Sequence, residues 1–291
     1  MSTQLQVVKE QTVDTIARRV NQLQQVGEIN LPANYSAANA LKSAWLILQD
    51  VADKDGKLAL ETCTRESITN ALFDMVIQGL NPAKKQCYFI AFGKKLVLMR
   101  SYFGSMAVAK MLDPSIEDIV AEVVYEGDEF AYEIRRGKKQ VTKHEQKLGN
   151  VNGQLVLGAY AEVIGRDGAV KRTEIMSYQE ILQSWKQSRR SPFDQAGKLK
   201  SDTTHAKFAG EMAKRTVINK VCKPIINSSS DSEILNTAIN RAYDEMAEAE
   251  VQHEIEQNAN RDAIDIEPEP EPQALHEPEP LAQTGTASPD F

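Results

Sequence analysis

No apolar run in this 291-residue chain approaches the roughly 20 residues that a membrane-spanning helix requires. The opening stretch, MSTQLQVVKEQTVD, has no apolar segment of the signal-peptide kind. Both absences lead us to expect a cytoplasmic protein without a membrane partner. Cysteine is scarce: Cys63, Cys87 and Cys222 are scattered and form no CxxC pair. That fits a reducing compartment and argues against a structural zinc site. The four histidines show no metal-ligand clustering.

Phosphate-cradling loops are missing too. The Gly-Lys pairs are Gly93-Lys94, Gly137-Lys138 and Gly197-Lys198. None has a glycine five residues earlier or a Ser/Thr after the lysine, so none is a P-loop. This removes ATP-driven strand exchange and leaves no cofactor to expect. The stretch DKDGKLALE looks like a calcium loop, but with Gly56 at the sixth position the first and twelfth ligands are Val51 and Thr62. Neither suits calcium, and an acidic turn is the simpler reading. His144-Glu145 lacks a second histidine at zinc-protease spacing. A metal-dependent nuclease stays open as an alternative, with Asp128 and Glu133 as its acids, although Arg135 stands where a lysine is wanted.

What is present is a split in charge. Residues 244–291 carry 14 acidic side chains and one basic one, Arg261, against 33 basic and 27 acidic in residues 1–243. The net charge of −7 therefore averages a basic body and a strongly acidic tail. Such asymmetry points to a polyanion-binding body with an appendage. Between Lys186 and Lys223 ten cations face only Asp194, Asp202 and Glu211.

Hydrophobic periodicity orders the chain. Helices dominate the first 80 residues: Ala40, Leu41, Ala44, Trp45 and Leu48 form one stripe, and Ile68, Leu72, Met75 and Val76 another, opened by Thr64 and stopped at Gly79. Residues 86–101 read as a hairpin and 101–112 as a helix ending at Asp113-Pro114. AEVVYEGDEFAYEIRRG reads as a hairpin turning near Gly127-Asp128, and the next strand pair as one turning at Asp167-Gly168. Helices are expected over 178–186 and 205–221, the latter stopped by Pro224, and another opened by a capping box at Ser230–Glu233. The fold class is α+β, a small antiparallel sheet packed with helices. The expected organisation is a core over 1–225, a helical segment over 226–257 and an acidic, Pro-rich tail over 258–291 that cannot bury enough surface to fold.

Cations and rings share segments. Tyr88, Phe89, Phe92, Tyr102 and Phe103 lie among Lys84, Lys85, Lys94, Lys95 and Arg100. Tyr102, Phe103, Trp185 and Phe193 are the rings nearest to cations in sequence, although at least half the rings, Phe89 and Phe103 above all, are expected in the core. Lysine and arginine track phosphates and gain affinity from counterion release. Rings add stacking on unpaired bases, about 1–3 kcal/mol each. We therefore expect phosphate contacts from Arg100, Lys110, Lys198, Lys200, Lys207, Lys214 and Arg215, with Lys94, Lys95, Arg189 and Arg190 in the same basic surface. Gln86 and Tyr102 are candidates for sugar or base contact. On one continuous helix, Lys207, Lys214 and Arg215 share a face while Phe208, Met212, Val217 and Val221 turn inward.

The spaced elements Gly79-Leu80-Asn81-Pro82, Gln86-Cys87-Tyr88-Phe89-Ile90, Gly93-Lys94 and Arg100-Ser101-Tyr102-Phe103-Gly104 resemble the signature segment of the RecT family of phage single-strand annealing proteins. SRRSPF (188–193) and EMAKRTVINK (211–220) are similar as well, and the resemblance spans roughly residues 10–225. It implies a protein that coats single-stranded DNA and pairs it with a complementary strand through an annealed duplex intermediate. It implies no ATP use, assembly into rings or helical filaments, and work beside a phage exonuclease in a bacterial host. The acidic tail is the least family-like part, and it is a candidate either for repelling DNA or for binding a partner such as that exonuclease or the host single-strand-binding protein. The first 50 residues are candidates for subunit contacts. A protein-binding scaffold with incidental DNA contact is the other open alternative.

Overall fold

The computed structural model describes residues 3–152, 155–187, 192–194, 196–228 and 233–241, with side chains from residue 12 onward. The expected acidic tail over 258–291, most of the 226–257 segment, Arg189, Arg190 and the start of the Ser230–Glu233 capping box lie outside the described residues.

Helix α1 (Thr3–Gln25), α2 (Ala37–Leu48), the short α3 (Ala59–Thr62) and α4 (Arg65–Ile77) come first. Ser36 accepts a hydrogen bond from the Asn39 N–H to open α2, and Thr64 accepts from Ser67 to open α4. Removing a cap of this kind costs about 1 kcal/mol. The expected stripes are the buried ones: Ala40, Leu41, Ala44, Trp45 and Leu48 on α2, and Ile68, Leu72, Met75 and Val76 on α4. Each fully buried large side chain contributes about 1.5–3 kcal/mol. Gly79 ends α4 with a φ of +65°, where a β-carbon is unfavourable. The calcium-like stretch is an acidic turn, its Asp53 carboxylate accepting the N–H groups of Asp55 and Lys57.

Strands β1 (Cys87–Phe92) and β2 (Lys95–Arg100) form the expected hairpin, paired from Cys87↔Arg100 to Phe92↔Lys95. Helix α5 (Tyr102–Leu112) follows at once, capped by Ser101. Strands β3 (Ile116–Tyr125), β6 (Val156–Gly165) and β7 (Val170–Ser177) make a three-stranded antiparallel sheet in the order β3-β6-β7. Helices α6 (Tyr178–Lys186), α7 (Thr204–Lys207) and α8 (Ala209–Ser228) come next, then a helical stretch over 233–241. The molecule is thus α+β, with small antiparallel sheets and helices. Among the described residues, no helix is long and apolar enough to cross a membrane.

Three local expectations are corrected. The strand before Gly127-Asp128 does not pair with the strand after it. β3 pairs with β6 along nearly its whole length, and β4 (Glu129–Arg135) pairs instead with β5 (Lys138–Glu145). Their turn is Arg136-Gly137, with φ of +50° and +76°, the backbone that a two-residue hairpin loop needs. Gly127-Asp128 makes a corner: the buried Asp128 carboxylate accepts from the Tyr125 N–H at 2.9 Å, Gln146 Nε2 at 2.8 Å and Asn150 Nδ2 at 2.9 Å.

The expected helix over 205–221 is broken at Phe208, whose φ/ψ of −129°/48° separates α7 from α8. Phe208 consequently points outward and is 59% exposed, whereas Val217 and Val221 are buried as expected. Pro224 does not stop α8, which continues to Ser228. A helix-interior proline costs about 3 kcal/mol; burial of Val221, Cys222 and Ile226 around it offsets that loss.

The stretch 233–241 buries Leu235, Ala238 and Ile239 in the same core as α2 and α4. Its Arg241 donates to the buried Asp74 carboxylate of α4 at 3.2 Å.

Candidate nucleic-acid interface

Helix α8 packs along the β3-β6-β7 sheet and against α5. Gly210 lets the start of α8 approach β3 closely, since a β-carbon there meets the Tyr125 hydroxyl at 2.6 Å. Gly104 does the same for α5, where a β-carbon meets the Gln86 carbonyl oxygen at 2.1 Å and Arg100 Cγ at 2.7 Å. The start of α5 therefore sits tightly against both the β1 entry and the β2 exit. Ser101 holds the joint by accepting from the Gly104 N–H and donating to the Lys85 carbonyl at 2.6 Å.

This joint brings four of the expected residues together. Gln86 Oε1 accepts from the Asn81 N–H at 2.8 Å and fixes the Asn81-Pro82 turn. Arg100 donates to Gln78 Oε1 at 2.9 Å, and Gln78 is buried. Tyr102 lies with its ring centroid 4.0 Å from that of Phe103. The Arg215 guanidinium of α8 sits 5.4 Å from the Tyr102 centroid. Arg215 is exposed, so its charge faces solvent above the rings. Gln86 and Arg100 are thus partly engaged in holding the scaffold, whereas Arg215 is exposed and Tyr102 is half-buried beneath it.

Phe103 corrects an expectation. It was expected in the core with Phe89; Phe89 is buried, but Phe103 is 44% exposed. A ring at the second position of α5 faces solvent, while Val108 and Ala109 on the same helix are buried. Trp185, by contrast, is core: it is buried and its Nε1 donates to Thr216 at 2.8 Å. Its ring also meets His205 of α7, with centroids 4.8 Å apart. Burial, and secondarily the nearby Arg215 charge, hold the His205 ring below its ordinary pKa. His205 adds a neutral ring beside Arg215 at pH 7, and the sequence reading did not single it out.

The other expected cations are arranged around this cluster or away from it. Lys110 on α5 and Lys214 on α8 both reach β3, pairing with Asp118 at 2.9 Å and Glu122 at 3.0 Å. These exposed pairs are weak, and each lysine can turn to a phosphate at small cost. Lys207 is exposed on α7, detached from the α8 face by the Phe208 break. Lys198 and Lys200 are exposed on a small turn over 192–200, closed by the Phe193↔Leu199 bridge and by the Lys198 N–H donating to Asp194. Phe193 is covered by Lys186 Nζ, 5.3 Å from its ring centroid. Lys94 and Lys95 are exposed at the far end of the β1-β2 hairpin, about 15–20 Å along the strand from Arg100, so they do not join the Tyr102 cluster.

Nuclease chemistry finds little support in the acids named for it. The Asp128 side chain is fully buried and its oxygens are taken by the corner described above, with His144 Nε2 at 3.4 Å. Burial alone raises its carboxyl, but the hydrogen bonds from Tyr125, Gln146, Asn150 and His144 outweigh that and bring it to about 2. Glu133 is paired with Arg135 at 2.7 Å.

The sequence matches no curated protein. Residues 38–262 match the model of the RecT family. This span extends beyond residue 225, where the sequence resemblance was expected to end, and begins later than residue 10. The signature joint, the exposed rings and the α8 cations all fall inside it. The chain therefore belongs to the RecT family and has that family's role, single-strand annealing in DNA recombination.

Proposed function

We propose that the protein anneals complementary DNA strands without nucleotide hydrolysis, by holding one strand extended on the surface around the start of α5 and the exposed side of α8. The observation that carries this reading is the exposed Arg215 guanidinium over the half-buried Tyr102 ring, with the exposed Phe103 ring beside it. A guanidinium over a ring supplies a cation for phosphate, and the adjacent exposed ring supplies a face for a base. Lys110 on α5 and Lys214 on α8, together with Lys207, Lys198 and Lys200, supply further phosphate contacts in this reading. Backbone contacts of this kind read no sequence, so the bases stay free to sample register with a second strand.

The protein works as a self-assembled oligomer or filament in this reading, because successive subunits must align their surfaces along the strand. Its setting is phage recombination in the cytoplasm of a bacterial host, beside an exonuclease that produces single strands. The acidic, Pro-rich segment 258–291 serves a protein partner, either that exonuclease or host single-strand-binding protein.

Labelled single strands mixed with purified protein, Mg²⁺ and no nucleoside triphosphate test this reading. Intact strands that shift into a protein complex and pair with their complement are expected. Mg²⁺-dependent shortening of the label would instead favour a nuclease. Assembly that ignores both DNA and salt would favour a scaffold. Deleting 258–291 and measuring affinity for DNA and for each partner tests the tail; loss of partner binding with DNA binding intact is expected.

A further inference from the structure

Strands β4 and β5 form a two-stranded ribbon outside the main sheet. Ribbons of this kind are marginal alone, and this one is anchored at its root and again near its turn. At the root, Phe130 and His144 each place their ring centroid 5.5 Å from that of Tyr160 on β6; near the turn, Lys139 Nζ donates to the Ile175 carbonyl on β7 at 2.8 Å. Alternation along the strand puts Tyr132 and Ile134 on the same face as Phe130. Between these anchors the face stays partly open: Tyr132 is 49% and Ile134 is 65% exposed. The turn at its tip, Arg135-Arg136-Gly137-Lys138-Lys139, holds four cations and no acid. Arg135 is paired with Glu133, while Arg136 and Lys138 point into solvent.

A second exposed apolar patch has the opposite charge. On α2, Trp45 and Leu48 face the core while Leu46 is 61% exposed, with Ile47 exposed beside it in sequence and Leu58 exposed at the far end of the turn that follows. The turn that follows, as far as Leu58, carries Asp50, Asp53 and Asp55 against two lysines, Lys54 and Lys57. The two patches sit on different parts of the fold: α2 packs on α1, α4 and the Pro82–Lys84 turn, whereas β5 packs on β7. Two unlike, complementary patches on separate parts of one chain suit a head-to-tail contact between copies, whereas a two-fold contact would have to bring both arm-patch pairs together at once.

We propose that the β4-β5 arm of one copy docks on the Leu46–Asp55 patch of the next, with Tyr132 and Ile134 covering Leu46 and Ile47, and Arg136 and Lys138 facing Asp50 and Asp55. This rests on the self-assembling reading above and gives that assembly a direction. One open patch remains at each end of any row of copies, so the contact propagates.

The test uses full-length protein with Ile134→Asp and, separately, Leu46→Asp. Both side chains are exposed, so circular dichroism should match the parent. Light scattering after gel filtration, with and without an oligonucleotide, should show each variant losing the higher assemblies, with at least tenfold weaker association. An equimolar mixture should recover a discrete dimer, because each variant keeps the half that the other lacks. Arg136→Glu should weaken assembly, and adding Asp50→Lys in the same chain should restore it. Parent-like assembly of both aspartate variants, or a mixture that stays monomeric, overturns the proposal. So does an Ile134→Asp protein that assembles normally but loses DNA affinity, which would make the arm a nucleic-acid contact. A parent protein that anneals strands as a monomer also overturns it while leaving the annealing function intact, whereas a parent that assembles but does not anneal counts against the functional reading alone.

Discussion

The Arg215 guanidinium lies 5.4 Å from the ring centroid of Tyr102, joining two segments more than 100 residues apart in sequence. Tyr102 belongs to the motif Arg100–Gly104 and Arg215 to the EMAKRTVINK segment, so this one contact links two stretches of the family signature. The contact survives in solvent because the guanidinium is weakly hydrated and planar, which suits a ring face. It holds the cation near a position where a phosphate and a base can be met together.

Replacing Tyr102 or Arg215 by alanine should weaken single-strand binding, each by about 1–3 kcal/mol. The double variant should lose less than the sum, because each change removes part of the same contact. Fluorescence anisotropy with a labelled oligonucleotide measures all three. Strict additivity would show that the two side chains act on DNA independently.

Lys207→Gln and Lys214→Gln should each lower the salt dependence of binding. The slope of log affinity against log salt should fall by about 0.7 per lost phosphate contact. An unchanged slope would assign Lys214 to its Glu122 pair and nothing more.

Gly104→Ala should destabilise the fold by about 1–3 kcal/mol, the range for forced overpacking. The new methyl group meets backbone, the Gln86 carbonyl at 2.1 Å, which cannot swing aside. Chemical denaturation should show a lower midpoint with an unchanged slope. Gly137→Ala probes a different cost, since nothing lies near its β-carbon but its φ is +76°; backbone strain alone should make it the milder change.

Asp128 sets an acid limit on stability. Its carboxyl is depressed to about 2 in the fold, below the ordinary value near 3.9. The unfolded chain therefore takes up the proton first as pH falls. The contribution of Asp128 is fully present above about pH 4 and is lost progressively toward pH 2. Asp128→Asn should lower stability at pH 7 and flatten the dependence over pH 2–4. A variant with the parent's acid limb would locate that limb elsewhere.

Arg241→Ala should destabilise the core because it removes the cation that lies 3.2 Å from the buried Asp74 carboxylate. Breaking a buried pair costs about 3–5 kcal/mol; Arg241 is one-third exposed, so the loss should fall at or below the lower end. Adding Asp74→Asn should recover part of it. Thermal melting of the three variants checks both signs.

The helices and hairpins with strong local signals were legible in the sequence. Thr64 caps, Gly79 and Asp113-Pro114 stop, and Asp167-Gly168 turns, each for a reason carried by the residue itself. The pairing of β3 was not legible. Gly127-Asp128 looks like a hairpin turn, but β6, some 40 residues on, offers a ten-residue partner, and the true turn at Arg136-Gly137 places an arginine where asparagine is usual. The Phe208 break was hidden because Phe208 fits the apolar stripe of a continuous helix. At the site, Tyr102 and Arg215 were both named from charge and aromatic content, but their contact depends on α5 packing against α8. Phe103 was assigned to the core because sequence does not tell which side of α5 faces the sheet. Gln86 and Arg100 were named for DNA, and their bonds to Asn81 and Gln78 became visible only with the turn and the burial in place.

The most direct measurement is the rate at which two complementary oligonucleotides pair, followed by fluorescence quenching at low salt without nucleotide. The parent protein should accelerate pairing over the strands alone, and a Phe103→Ala, Arg215→Ala double variant that remains folded should lose most of that acceleration. No acceleration by the parent, or full acceleration by the variant, would contradict an annealing surface built on the start of α5 and the exposed side of α8.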